Sequence, residues 1–580
     1  MHLAIAKNKL TLDIEKDGYC YNQPPLTCWV SGYFRHKSQK ILFNNEAAEY
    51  AVKLYSDNQL INEACHLNGS FTLIICDEIN KIIFTITDRL GSIPIYFVQK
   101  NGQLFISDTY WRLIEDIGAY KLNRIAVSQL IQFGYVLGTQ TIIDGVSEFP
   151  PHAITKINYT QRPYLSKQDY WSFSLTEQIS SKEPELLDRC TYLFKNIFNI
   201  YCRVIKQNEW SGAIPLSGGM DSRLITWWLK KNNVPAVTYS YGTPESLDLA
   251  IACQVAEALD VPIKRIIWTN QEPFVDPHDI LVEAIGFTTR YSLGIGAYAI
   301  GKECNLKSGV ILPGHGGDFF AGSHIKYFYL YLLNWKIACA VISQAHKEMS
   351  DQDLKRLFPW ASQNWIDVMD SFYETMKRHN DPTLLSLTQR WDIEQRQRRL
   401  ILRECEIFKL FGFRVLMPFC DYEIMDFFTR LPRRYLYNQY LYRKMMHNYF
   451  YTGEYLSLAK INTLKGPILA SGTIANIPSI FTLIAKMAVA GVNKIAKKAN
   501  KTSVTPPVIF WDLWYHSPAL RQYFQELLQD SMQCQNQFDM KILNQFLRQS
   551  TPRFTSGPLY HLGTIAHNKF RNYKSLHGNE

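Results

Sequence analysis

Ser217, Gly218, Gly219, Asp221 and Ser222 fall between a short apolar run ending at Leu216 and a helical pattern, and residues of these types in this order point to phosphate chemistry. Adjacent glycines let backbone N–H groups turn toward an anion without Cβ obstruction, and the positive end of the following helix adds to the attraction. Ser217 and Ser222 bring hydroxyl donors. Asp221 would repel phosphate unless a divalent cation lay between them, so the loop predicts a pyrophosphate site with Mg²⁺. No lysine follows the glycines and G-x-x-x-x-G-K-[ST] is absent, which excludes a P-loop. A plain glycine-rich β–α turn is the structural alternative.

The flanking patterns say what positions this loop. Residues 213–217 read as a strand, and Leu224, Ile225, Trp228 and Leu229 recur at helical spacing. Residues 235–242 predict a second strand, 247–259 a helix with its apolar face at Leu247, Ala250, Val255 and Leu259, and 261–268 a third strand. Strands alternating with helices imply an α/β architecture whose parallel sheet binds ligands at the carboxyl ends of its strands. From about Phe328 onward, aromatic-rich helical patterns dominate.

Before about Trp171 the pattern is different: short β-rich runs at 71–77 and 81–88, then two more separated by Lys100-Asn101-Gly102. Asn-Gly supplies the positive φ angles of a type I′ hairpin, so this half is expected to be antiparallel. The polar stretch 174–185 is the linker candidate, giving expected domains of 1–175 and 190–580.

The totals bound the class. A chain of 580 residues is too long for one core, and 47% hydrophobic with 20% charged residues describes a globular protein. The formal charge of +10 is interspersed, which argues against a nucleic-acid groove. Twelve scattered cysteines without C-x-x-C or zinc-ligand spacing fit a reducing cytoplasm, and the first residues lack the pattern of a signal peptide. The run from Ile477 to Val492 is too short and interrupted to span a bilayer; it reads as a buried or amphipathic helix, with weak membrane-surface contact the other option.

The S-G-G-x-D-S loop, the segment Leu312-Pro313-Gly314-His315-Gly316-Gly317-Asp318-Phe319-Phe320-Ala321-Gly322, and Met417-Pro418-Phe419-Cys420-Asp421 together resemble, in order, three signatures of the asparagine synthetase family. The resemblance implies ATP and Mg²⁺: Leu216, Ser217, Gly218, Gly219, Asp221, Ser222, Tyr241 and Gly314 around the nucleotide, and Asp221 with Asp318 as metal ligands. The departures matter equally. His315 replaces the family's acid in G-E-G, Phe319 replaces a glutamate, and Gln439 stands where a lysine belongs. A neutral imidazole at His315 is the expected replacement base, with a hydrogen-bonded loop residue as the alternative. Arg443, Lys444 and Lys465 are the substitutes for the missing lysine, against the plainer reading of solvated surface charges.

The first half resembles the family's glutaminase domain, an Ntn-hydrolase-like αββα fold, through Leu67-Asn68-Gly69-Ser70-Phe71, where Asn68 and Gly69 would line an oxyanion site, and through 88–96. The family's nucleophile is a cysteine after the initiator methionine, and here that residue is His2. Unless processing exposes Cys20 or Cys28, the domain is expected to be an inactive scaffold. The resemblance implies an ATP-dependent ligase that adenylylates a small-molecule or peptide carboxylate for attack by an amine; a homodimer is a candidate assembly, and the sequence does not fix the oligomeric state. A non-catalytic ATP-binding protein and an amidotransferase for surface polysaccharide remain the alternatives.

Overall fold

The computed structural model describes residues 1–463, apart from 7–8, 14–18, 38–39, 119, 270–271, 306–308, 326–333, 349–354, 356–364 and 378–380, together with 522, 523 and 526. Lys465 and the run 477–492 therefore lie outside the described residues.

Along the strand Leu67–Asp77, Phe71, Leu73 and Ile75 point to one face and Ile74 and Cys76 to the other, and all are buried. Both faces are covered, which is why the run is apolar throughout rather than alternating. On one side Ala47, Ala48 and Ala51 of the helix Asn44–Ser56 pack against it. On the other, Leu3, Ile5, Leu104 and Ile106 come from a second antiparallel sheet. The helices Tyr110–Ile117 and Arg124–Phe133 cover that second sheet's outer face, completing the αββα layering. The predicted hairpin joins Tyr96–Lys100 to Gln103–Ser107; Asn101 and Gly102 have φ of 51° and 76°, the pair of positive angles a I′ turn requires.

The stretch expected as a linker is pinned down. Phe173, Leu175 and Ile179 are buried in a core that also holds Tyr33 and Leu90 from the first half and Phe319 and Phe428 from the second. Thr176 and Ile179 donate backbone N–H groups to the carbonyls of Thr429 and Arg430. Its polar residues face out while these apolar ones anchor it, so composition alone mistook a docked strap for a loose one. The helix Glu183–Gln207 begins directly afterwards.

The second half contains the parallel sheet, in the order Ile263–Ile267, Ala236–Gly242, Ser211–Pro215, Gly309–Ile311, Arg414–Val415. Ala213 and Ile311 enter one core and Ile214 and Val310 the other, so both faces are apolar. The strand order reverses beside Ser211–Pro215: its chain successor lies on one side and Gly309–Ile311 on the other. Such a reversal opens a crevice at the carboxyl ends of the two central strands. The helix Leu247–Ala258 ends one residue short of the predicted extent and keeps half of the predicted face: Val255 and Leu259 are buried together with Leu249, Ile251, Ala252 and Ala256, while Leu247 and Ala250 are exposed. The segment is so uniformly apolar that periodicity could not choose the face. Helices dominate the described residues beyond Phe328, and among the described residues no helix is long and apolar enough to cross a membrane.

Candidate active site

The crevice at the strand reversal is a cleft of about 380 Å³. The loop after Ser211–Pro215 supplies Leu216, Ser217, Gly219, Asp221 and Ser222; the loop after Gly309–Ile311 supplies Gly314, His315 and Asp318. Tyr241 comes from the end of the neighbouring strand and Gln439 and Arg443 from the helical layer. The sequence-predicted residues that meet here thus come from four separate parts of the chain.

The two central loops interlock. The Asp318 backbone N–H donates to Asp221 Oδ2 at 2.7 Å, and the Ser323 hydroxyl donates to Asp318 Oδ2 at 2.8 Å. A Cβ at Gly317 would lie 2.6 Å from Asp221 Cγ, and one at Gly314 would lie 3.0 Å from both Asp221 Cβ and Ser222 N. At Gly317 a side chain would force the loops apart, and at Gly314 it would fit only if Asp221 or Ser222 gave way slightly. From the far side, Tyr442 donates its buried hydroxyl to Asp221 Oδ1 at 2.8 Å. Asp221 and Asp318 both line the cleft as hard oxygen donors, a donor set that fits Mg²⁺, which is bound through one or two carboxylates with phosphates completing the shell.

The glycine loop differs from its expected form. Gly218 N–H donates to Asp248 Oδ1 at 2.6 Å and Gly219 N–H to Ser217 Oγ at 3.2 Å, while Ser217 N–H donates to Ser222 Oγ at 3.1 Å. These donors are engaged by side chains instead of being turned together toward the cleft. An anion must displace those partners. Burial pushes the Asp248 carboxyl up, against the pull of the Gly218 N–H. The glycines serve close approach: a Cβ at Gly218 would meet Asp248 Oδ1 at 2.8 Å.

Tyr241 stacks on Trp268 with ring centroids 4.8 Å apart, in space left by Gly296, where a Cβ would sit 2.2 Å from the tyrosine ring. This fixed aromatic wall at a strand end suits a planar base.

His315 lines the cleft with Nε2 3.4 Å from Glu404 Oε2. Burial lowers the imidazole's proton affinity, but the Cys405 side chain and the Glu404 carboxylate outweigh it and lift the pKa to about 10. The group is therefore an imidazolium at neutral pH, where the sequence predicted a neutral base; the sequence could not reveal Glu404, which lies 89 positions away.

Lys444 is not brought to the cleft. Its ammonium pairs with Glu183 and accepts no role in the wall, with the Tyr440 hydroxyl 3.2 Å away. Arg443 does line it, and burial lowers the pKa of its guanidinium. Phe319 is a core residue, packed on Phe173 and Phe320. Asp248 and Glu404 line the cleft and Tyr442 stands behind Asp221, and sequence reasoning gave none of the three a role; Asp248 lay inside a predicted helix, whereas Glu404 carried no local signal.

In the first half, Asn68 Nδ2 donates to Asp421 Oδ1 at 3.0 Å and Asn68 Oδ1 accepts from Tyr422 N at 2.9 Å, so the amide is bound on both sides. Gly69 gives room for the backbone of Tyr33, 2.2 Å from where a Cβ would stand. His2 Nε2 pairs with Asp116 at 3.0 Å. Cys20 and Cys28 lie within paired strands, and burial raises both thiols, strongly for Cys28.

The family profile described as Asparagine synthase matches residues 212–452, and the profile described as Glutamine amidotransferase domain matches 43–171. Asparagine synthetase [glutamine-hydrolyzing] 1 of Bacillus subtilis is 20% identical over 356 residues, covering 56% of this chain and 52% of that protein. The asparagine synthetase [glutamine-hydrolyzing] of Rattus norvegicus is 24% identical over 320 residues, covering 52% and 54%. Asparagine synthetase [glutamine-hydrolyzing] 3 of B. subtilis reaches 28% over 191 residues, covering 31% and 29%. The chain spans about half the length of the first two relatives.

Proposed function

We propose, on the premise that this chain belongs to the asparagine synthetase family, that it is an ATP-dependent ligase forming an amide through an adenylylated carboxylate. The observation that carries the proposal is the interlock of the two central loops, which sets Asp221 and Asp318 side by side at the carboxyl end of a parallel sheet. ATP lies with its base against the Tyr241 wall and its phosphates toward Ser217, Ser222 and the two aspartates. The substrate carboxylate attacks the α-phosphorus and pyrophosphate leaves. An amine then attacks the acyl carbon, the C–N bond forms, and AMP departs. Asp221 and Asp318 would hold Mg²⁺, which would supply charge neutralisation for the polyphosphate. The chain's own residues orient the reactants in one cleft, the largest contribution available to a two-substrate reaction.

The amine is not drawn from glutamine by this chain. A thioester route needs a thiol beside a base, and His2 supplies no thiol while the Asn68 amide is bound to Asp421 and Tyr422. The protein is incubated with MgATP and a panel of amino and hydroxy acids, with and without ammonia or hydroxylamine, and pyrophosphate is measured. Acid-dependent release that persists without glutamine is expected. ATP binding with no release for any acid would favour a non-catalytic nucleotide-binding role, a reading supported by Lys444 being turned away to Glu183.

A further inference from the structure

We propose that His315 is a phosphate-binding cation of this cleft and that Glu404 is the positioning residue that keeps it charged. The inference rests on the reading that the cleft takes ATP.

Among the described lining residues the acids are Asp221, Asp248, Asp318 and Glu404, and the cationic side chains are His315 and Arg443. A polyphosphate meeting four carboxylates is repelled unless cations are interposed, and Mg²⁺ on Asp221 and Asp318 answers for only that pair. Lys444 is committed to Glu183, and Gln439, which also lines the cleft, is uncharged. His315 sits three residues before Asp318 in the same loop, between the two glycines at 314 and 316 that let the backbone hug Asp221 and turn. Gly316, at φ of 89°, makes the bend that carries the imidazole to the cleft.

The surroundings of the imidazole decide its charge. Glu404 and Cys405 face it from the helix Glu404–Lys409. Cys420, from the turn Pro418–Cys420, has its Sγ 3.5 Å from the His315 carbonyl oxygen. Arg443, Asp221 and Asp318 line the same cleft. At 3.4 Å the Glu404 carboxylate makes an ion pair with the buried Nε2, while the side chain keeps 15% of its surface exposed and lines the cleft. Removing Glu404 takes away one of the two groups that oppose burial, so the imidazole's proton affinity falls.

The test is calorimetric titration of the full chain with ATP at saturating Mg²⁺, from pH 6 to 8.5, for the wild type and the variants Glu404→Gln, Glu404→Asp and His315→Gln. Wild-type affinity is expected to change by less than about twofold across the range. His315→Gln should weaken binding by about 5–10-fold, the scale of one partly exposed charge-assisted contact. Glu404→Gln should match or exceed wild type at pH 6 and weaken by about 5–10-fold toward pH 8.5. Glu404→Asp should restore the flat profile, a rescue that guards against a mere folding defect. A flat profile in Glu404→Gln, or unchanged affinity in His315→Gln, overturns the inference while leaving the ligase reading intact. Absence of MgATP binding to the wild type overturns both.

Discussion

The guanidinium of Arg35, on a strand of the N-terminal antiparallel sheet, grips the carboxylate of Asp421, 386 positions away, with Nη2 2.9 and 3.0 Å from its two oxygens. Asp421 follows directly on Cys420, which touches the His315 carbonyl, so the first half of the chain braces the wall of the cleft in the second. Tyr33 adds to the brace by accepting the Met417 N–H at 3.0 Å.

Removing Arg35 is expected to be costly. Burial already raises the Asp421 carboxyl above its usual range, and Arg35 opposes that rise. Arg35→Met leaves the carboxylate buried without its ion-pair partner, a change worth about 3–5 kcal/mol, measurable by urea unfolding at pH 7. In the variant the folded state holds a proton that the unfolded state releases. Stability therefore falls as pH rises through the ordinary carboxylate range and recovers in acid. Arg35→Met/Asp421→Asn should recover most of the loss.

Glu148 makes the opposite prediction. It is buried, which pushes its carboxyl up, but Arg398, Arg399 and Arg403 converge on it and bring it down to about 2. Its stabilising contribution is fully present above the unfolded value of 4.5 and is lost as pH falls through about 2. Glu148→Gln should lower unfolding stability at pH 7 by about 3–5 kcal/mol because it strands three buried guanidinium groups. The gap from wild type should narrow as pH is lowered from 5 toward 2.

Gly317 and Tyr442 test the geometry around Asp221. A methyl group at 317 falls 2.6 Å from Asp221 Cγ, so Gly317→Ala should displace the carboxylate and cut pyrophosphate release about 100-fold, with circular dichroism unchanged. Tyr442→Phe removes one hydrogen bond to Asp221 and should cost about tenfold in kcat and about 1 kcal/mol in stability. Equal activity in both variants would mean that the position of Asp221 does not govern the reaction.

Restoring a thiol at the second position should not restore glutamine hydrolysis. His2→Cys leaves the Asn68 amide bonded to Asp421 and Tyr422, with neither end released for an oxyanion. Glutamate release by the variant is expected to stay at background. Adding Asn68→Ala should leave it there while destabilising the protein by about 1–3 kcal/mol, since Tyr422 N–H and Asp421 lose a buried partner.

What the sequence made legible follows from how local each determinant is. The I′ turn at Asn101-Gly102, the strand–loop–helix around Ser217 and the alternation of the parallel sheet depend on a few adjacent residues, and the folded chain has them where their types indicate. Placing Asp221 beside Asp318 required the resemblance, since nothing between them sets their distance. The state of His315 was invisible because it is set by Glu404 and Cys405 from another helix. The same holds for the Gly218 amide, taken by Asp248, and for Lys444, drawn off by Glu183. Long-range pairing of charges, unlike turn chemistry, leaves no mark in the intervening residues.

Phe319 limits how this chain can change. Its ring sits among Phe173, Phe320 and His324 at centroid distances of 6.0, 5.5 and 5.4 Å. A carboxylate placed at this position would arrive inside an aromatic box whose imidazole, His324, is already bonded to Asp392 at 2.8 Å, and the box would have to be rebuilt before the new group could serve. Acidity can be added to the cleft far more cheaply from the helical rim, where Glu404 already stands; laboratory evolution of new substrate use should gather its substitutions there and leave position 319 untouched.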